Sequence, residues 1–341
     1  MSILSPDHLA LIREHAREAE RLGELHPAIL ALIYEQQWFR ALVPHRYGGL
    51  DWPLPTVVRL EEELARADGS VAWTVTLCSG AGWFAHFFPA SGLDRIFAHP
   101  RLCIAGSGMA AGRAERLPGG GYRIDGQWGY ASGARHATAF TANCVIWEDG
   151  APVPDEDGQP LVRPFLFLRE EVTVLDDWRA VGLVATGSHG FVVTGLEVSA
   201  ERCFVIDDAI FLPLAEATLA VNSCGMAGHF LECFEEVFEK RKGHLPADAI
   251  KAVATLLKTT NAEFARVREA FYTALDAAWV NGGPYDAVSH MSHNLAATVR
   301  QCVDRLYPYA GLGAANTESE INRVWRDLHT ASQHPLLTFA R

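Results

Sequence analysis

The sequence predicts an α+β protein in three parts: an N-terminal helical domain (residues 1–100), a central antiparallel β-barrel or sandwich domain (101–206) and a C-terminal four-helix bundle (207–341). Two observations predict it. Apolar residues recur at helical spacing at both ends of the chain and switch to short alternating runs in the middle. Clusters of Gly, Pro and Asp punctuate the middle third, while the last third carries long uninterrupted segments.

The first part opens with "SPDHLALIREHAREAERLGEL", where Ser5 is an N-cap and Pro6 occupies the first helical position. "HPAILALIYEQQ" repeats the early proline, and "TVVRLEEELARAD" repeats the amphipathic pattern. Between them, "LVPHRYGGLDWPLP" is a loop. The apolar stretch "VAWTVTLCSGAGWFAHFFP" (71–89) contains Ser79, Gly80, Gly82 and His86 and lacks cationic flanks, so it reads as a buried helix and not a membrane span. In the middle, "GGGYRIDGQWGYASG", "TAFTANCVIWE", "PFLFLREEVTVL" and "GFVVTGLEVS" are strands rich in β-branched and aromatic residues. The acidic "EDGAPVPDEDGQP" is an exposed hairpin excursion. Beyond it, segments near 207–242, 246–281, 285–310 and 317–334 are each long enough for a bundle helix, with "GGP" and "GLG" as breaks.

Composition narrows the function classes. A net charge of -12 and 49% hydrophobic residues describe a water-soluble protein with ample core and argue against nucleic-acid or anionic-membrane partners. The N-terminus lacks the pattern of a secretory signal, and seven scattered cysteines without a CxxC pair fit reduced thiols in the cytoplasm. "GSGMAAG" (106–112) has the wrong spacing for a dinucleotide fingerprint and is followed by a turn and strand. "HMSH" (290–293) places two histidines at i,i+3 without an evident third ligand, so no metal site is expected. No P-loop and no GxSxG elbow is present.

One segment leaves its chemistry open. In "RVWRDLHTASQHP" (323–335), Asp327, Thr330, Ala331 and His334 share a helical stripe, and Pro335 disfavours helix at His334. A capping end and a catalytic end both fit that pattern.

Several segments, in this order, resemble the acyl-CoA dehydrogenase superfamily of flavoproteins: "LVPHRYGGLD" (42–51), "ADGSVAWTV" (67–75), "GYRIDGQWGYASGARHA" (121–137), "WRAVGLVATGSHGFVVTGLEVSAERCF" (178–204) and "AGLGAANTESEINRVWRDLHTASQHP" (310–335). The resemblance implies a flavin, FAD or FMN, whose electronics the protein tunes by hydrogen bonds and burial. It implies that the Ser132 hydroxyl lies near flavin N5 and that Tyr130 packs on the ring. It also implies that Gly133, Thr186, Gly187 and Ser188 line the cofactor pocket, and that Arg241 is the remnant of a grip on a neighbouring subunit's pyrophosphate.

The dehydrogenases of this superfamily usually place a glutamate base after "RD" in the last helix; here that position is Pro335, with His334 beside it. The set Gly69-Ser70…Trp73, Trp128…Ser132-Gly133 and Trp325-Arg326-Asp327…His334 resembles instead the flavin-dependent monooxygenases of the same fold. These take reduced flavin from a separate reductase and hydroxylate an aromatic or heterocyclic small molecule. On that resemblance His334 and Ser132 are the catalytic pair, His334 deprotonating a phenol or steadying the flavin–oxygen adduct, and the chain forms a homodimer or homotetramer. Two positions depart from the pattern: Ala81 stands where many of these enzymes carry a histidine, and the Phe-Gly and Gln of the pyrophosphate grip are missing from "KRKGHLPADAIKAV". An acyl-CoA dehydrogenase or oxidase with a displaced base, and a non-catalytic flavin- or ligand-binding scaffold, remain alternative readings.

Overall fold

A computed structural model of the chain describes residues 3–88 and 94–338, so Pro89 at the end of the long apolar stretch lies outside the described residues. Helix α1 (Pro6–Leu22) starts as its sequence dictates: the Ser5 hydroxyl accepts the His8 N–H, and Pro6 follows. Helix α2 (Pro27–Glu35) again begins on a proline. Helices α3 (Leu54–Ala67) and α4 (Gly69–Trp83) are separated by Asp68, whose carboxylate caps α4 by accepting the Val71 N–H at 2.9 Å. Helix α4 is buried nearly all round, and no described helix is long and apolar enough to cross a membrane. A four-residue helix, α5 (Asp94–Phe97), precedes the sheet.

Seven strands follow: β1 (Ile104–Arg116), β2 (Tyr122–Ala131), β3 (Ala139–Glu148), β4 (Ala151–Pro152), β5 (Val162–Leu168), β6 (Thr173–Val174) and β7 (His189–Val198). They form one sheet in the order β4-β3-β1-β2-β7-β6, with β5 beside β4 on the edge of β3 that faces away from β1. The sheet is mixed and not wholly antiparallel as expected, because β1 and β3 run parallel. After the β1–β2 hairpin the chain crosses back and lays β3 on the far side of β1, which only long-range pairing decides. "GSGMAAG" lies within β1, where register shifts between Ser107 and Gly112 mark bulges. The acidic excursion is an exposed hairpin closed by a bridge between Pro154 and Pro160.

Helices α6 (Phe211–Arg241), α7 (Ala247–Asn281), α8 (Asp286–Leu306), α9 (Glu320–Ala331) and the short α10 (Pro335–Thr338) complete the chain. One core joins α1–α4 to this bundle, including Leu60, Leu64, Val71, Phe230, Phe234, Val299 and Leu328. A second core, with Trp128, Phe140, Phe165, Phe167 and Phe191, fills the sheet. A third, with Val43, Ala81, Ala85, Ile104, Leu166 and Phe204, seals the end of α4 against the strands. Helix α4 therefore touches every layer, and the site is built on it.

Candidate active site

Strands β2 and β7 pair antiparallel with Ala131 opposite His189, which brings the residues just beyond their ends face to face. The Gly133 N–H donates to the Thr186 carbonyl at 2.8 Å. Ser132 Oγ lies 2.8 Å from Ser188 Oγ, Ser188 Oγ lies 2.6 Å from Thr186 Oγ1, and Thr186 Oγ1 donates to the Leu183 carbonyl at 2.7 Å. The Trp178 indole N–H donates to that same carbonyl at 3.1 Å. All three hydroxyl-bearing residues are at most 5% exposed. The backbone around them is strained: Tyr130 has φ +64° and Leu183 φ +52°, a left-handed conformation that side chains other than glycine adopt at a cost of order 1–3 kcal/mol. Gly187, at φ +50°, closes the turn without that cost. Tyr130 is 69% exposed, with Trp178 edge-on at 6.3 Å. Of the residues expected to line a cofactor pocket, the structure thus gathers Ser132, Gly133, Thr186, Gly187 and Ser188, with Tyr130 at their border.

This turn is fastened to α9. Asp327 Oδ1 accepts the Leu183 N–H at 2.6 Å, and the Arg326 guanidinium donates to the Val181 carbonyl. Between these contacts Gly182 packs directly on the helix; a Cβ there would lie 2.2 Å from the Arg326 carbonyl oxygen. Burial pushes the Asp327 carboxyl up to about 7, against the pull of nearby Arg323. Arg323 is itself buried and pairs with Asp68, the cap of α4, and with Glu320. The "RD" pair therefore ties α9 to the hydroxyl turn, and Arg323, one turn earlier, ties α9 to α4, roles the sequence reading did not assign to them.

Helix α9 stops at Ala331, and His334 occupies the turn before Pro335, the first residue of α10. The His334 ring lies 6.0 Å from that of Trp73 on α4, and its Nδ1 accepts the Leu336 N–H at 3.3 Å. Burial alone lowers its pKa below 6.5, so the ring is neutral at pH 7, with its proton on Nε2. Past Trp73, the positions Leu77, Gly80 and Phe84 form a half-buried stripe on an otherwise covered helix, and nothing lies within 4 Å of a Cβ built on Gly80. On the adjoining face of α4, Thr74 and Cys78 pack against Gly133. His334 and the hydroxyl cluster are thus both seated on α4, on neighbouring faces of one helix.

Other residues stand apart. Arg241 lies at the far end of α6, a 31-residue helix about 45 Å long whose first residue, Phe211, stacks on Trp83. Its guanidinium donates to the Tyr309 carbonyl at 2.6 Å, so the structure does not join it to Ser132. Ala81 is packed in the apolar junction core. His293 of "HMSH" sits 3.3 Å from Glu216, while His290 is exposed.

The sequence reading also missed Glu61. Its side chain is wholly buried between α3 and α4 near Thr76 and Ser79, and burial pushes its carboxyl up to about 8. A signal existed, because Glu61 falls on the apolar stripe of α3 with Val57 and Leu64.

Two family models match the chain: "Acyl-CoA dehydrogenase, N-terminal domain" over residues 10–87 and "Acyl-CoA dehydrogenase, C-terminal domain" over 217–339. Indole-3-acetate monooxygenase of Pseudomonas putida is 26% identical, the match covering 96% of this chain and 88% of that protein. The oxygenase subunit HsaA, a flavin-dependent monooxygenase of Rhodococcus jostii, is 24% identical over 96% of this chain and 91% of its own. Among solved structures, the HsaA monooxygenase from M. tuberculosis superposes with a TM-score of 0.86 at 22% identity, covering 98% of this chain and 92% of that one. The dibenzothiophene monooxygenase TdsC from Paenibacillus, solved with FMN and indole, gives 0.78 at 20% identity, covering 97% and 92%. With both terminal family models matched in order and the same fold over nearly its whole length, the chain belongs to the acyl-CoA dehydrogenase superfamily.

Proposed function

We propose that this chain is the oxygenase component of a two-component, flavin-dependent monooxygenase that hydroxylates an aromatic or heterocyclic small molecule. The observation that carries the reading is the end of α9. Where the dehydrogenases of the superfamily usually hold a glutamate base, Pro335 begins α10 and a neutral His334 stands beside it. No charged group among the described residues shifts His334, so no carboxylate stands close enough to act as its partner. The curated relatives named above, monooxygenases matched over nearly the whole chain, support the same reading.

The residues fit a flavin, FAD or FMN. Gly80 leaves open space along α4, and Ser132 Oγ has no partner among the described residues other than Ser188, so it keeps capacity for one more bond. Reduced flavin with dioxygen supplies the oxygen atom inserted into the substrate, the second oxygen leaving as water. Ser132 and the Gly133 turn hold the reactive edge of the ring, with Thr186, Gly187 and Ser188 behind them, and Tyr130 covers its open side. His334 acts through its Nε2–H. Because its Nδ1 already accepts the Leu336 N–H, the neutral ring donates a hydrogen bond to a substrate oxygen, which suits orienting a phenol or stabilising its phenolate. Trp73 and the Leu77–Phe84 stripe supply the apolar wall that excludes water.

A separate reductase delivers the reduced flavin in the cytoplasm, where the seven free thiols stay reduced. The chain works as a homodimer or homotetramer, in which Arg241 reaches the nucleotide end of a neighbouring subunit's flavin. The test is to supply purified protein with reduced FMN or FAD, oxygen and a panel of phenols and indoles. Hydroxylated product is expected, together with no bleaching of bound oxidised flavin by acyl-CoA thioesters under anaerobic conditions. Anaerobic bleaching would establish the dehydrogenase instead, and failure to bind either flavin would leave only a scaffold.

A further inference from the structure

The hydroxyl chain behind Ser132 has a fixed direction, and that direction selects the redox state of the cofactor. Each hydroxyl carries one proton. Thr186 Oγ1 must spend its proton on the Leu183 carbonyl, which can only accept. At 2.6 Å from Thr186, Ser188 must therefore be the donor in that pair. Its own proton being used, Ser188 can only accept from Ser132 at 2.8 Å. Ser132 is left with its proton turned inward and only lone pairs to offer the pocket. The alternative directions would set two lone pairs against each other inside a buried cluster, a penalty no water relieves.

The anchor of this relay is rigid. The Leu183 carbonyl also accepts the Trp178 indole N–H, and the Leu183 N–H is held by Asp327. Leu183 keeps its left-handed φ of +52° under these restraints. The relay thus has a definite terminus and cannot reverse by a simple turn of one hydroxyl.

We propose that Thr186, acting through Ser188, makes Ser132 an obligate acceptor, so that the site prefers reduced flavin over oxidised flavin. The inference rests on the reading that Ser132 borders flavin N5. In the reduced ring N5 carries a hydrogen and donates; in the oxidised ring N5 is a bare acceptor and would face the lone pairs of Ser132. Thr186 is a positioning residue here, since it acts through two other hydroxyls. The preference suits a protein that receives its flavin already reduced.

The experiment is an anaerobic titration of the full-length protein with oxidised and with dithionite-reduced FMN and FAD, repeated on Thr186→Val, Thr186→Ser and Ser188→Ala. The wild type is expected to bind the reduced form at least tenfold tighter, raising the bound two-electron potential by about 30 mV relative to free flavin. Thr186→Val, which leaves the Leu183 carbonyl its Trp178 partner, is expected to bring the ratio close to one, and Thr186→Ser to keep it. Should Thr186→Val fail to fold by circular dichroism, Ser188→Ala interrupts the same relay and is expected to lose the same preference. A ratio unchanged within twofold in folded Thr186→Val or Ser188→Ala overturns the relay. Equal wild-type affinity for the two forms also overturns it while leaving a flavin site standing, whereas binding of neither form removes the flavin reading itself.

Discussion

Replacing Glu61 by glutamine should stabilise the protein at neutral pH and leave it unchanged in acid. The Glu61 carboxyl is wholly enclosed between α3 and α4, and burial raises it from 4.5 to about 8. Because the folded value lies above the unfolded one, folding takes up a proton between those limits. The native state is therefore fully favoured below pH 4.5 and loses stability as the pH rises towards 8. Each pH unit inside that window costs about 1.4 kcal/mol, so the wild type gives up about 3 kcal/mol between pH 5 and pH 7.5 from this one group. Glutamine matches the shape of the neutral acid but has no proton to lose. The assay is chemical denaturation of both proteins at fixed concentration from pH 4.5 to 8, taking the variant-minus-wild-type difference so that every other titrating group cancels. That difference should be small at pH 4.5 and grow to about 3 kcal/mol at pH 7.5, equivalent to roughly 5 °C in melting temperature. A difference that stays constant with pH would refute the argument, since it would mean Glu61 keeps the same charge in both states.

Four further outcomes follow from the site. His334→Ala should lower turnover by about 10²-fold while flavin binding, read by fluorescence quenching, persists. In the wild type, burial depresses the pKa of His334, so the neutral ring keeps its Nε2–H throughout the range above pH 6.5 and its contribution to activity should stay level from pH 7 to 8; loss of that contribution on going above pH 7 would contradict the role. Gly182→Ala should lift the 181–188 segment from α9, since the new Cβ would meet the Arg326 carbonyl at 2.2 Å, and hydrogen exchange of that segment should quicken before global unfolding. Asp327→Ala removes the acceptor of the Leu183 N–H and one carboxylate from the buried Arg323 network, a loss of about 3 kcal/mol or more in denaturant unfolding, with Asp327→Asn milder because it keeps an acceptor; equal losses in the two variants would show that charge, and not the hydrogen bond to Leu183, is what Asp327 supplies.

Much of the fold was legible because it is local. Ser5 and Pro6 start α1, and the breaks at Gly282 and Gly311 separate the bundle helices, each through chemistry confined to one turn of chain. The site was legible only through resemblance: nothing in the spacing of Ser132 and Ser188, 56 residues apart, announces that their hydroxyls touch.

The sequence by itself determined where the long helices and the strands β2, β3 and β7 form, that α4 is buried, and that proline stands where a glutamate base would be, since these depend on side-chain periodicity and residue identity; β1, with its Gly- and Ala-rich run, carries no such signal. The tertiary structure decided the parallel β1–β3 pairing and the contact between the ends of β2 and β7. It also decided the fastening of Leu183 to Asp327 across 144 residues and the burial of Glu61. Each of these joins groups distant along the chain, and a hydrogen bond or a desolvated charge acquires its energy only from the neighbours that folding supplies.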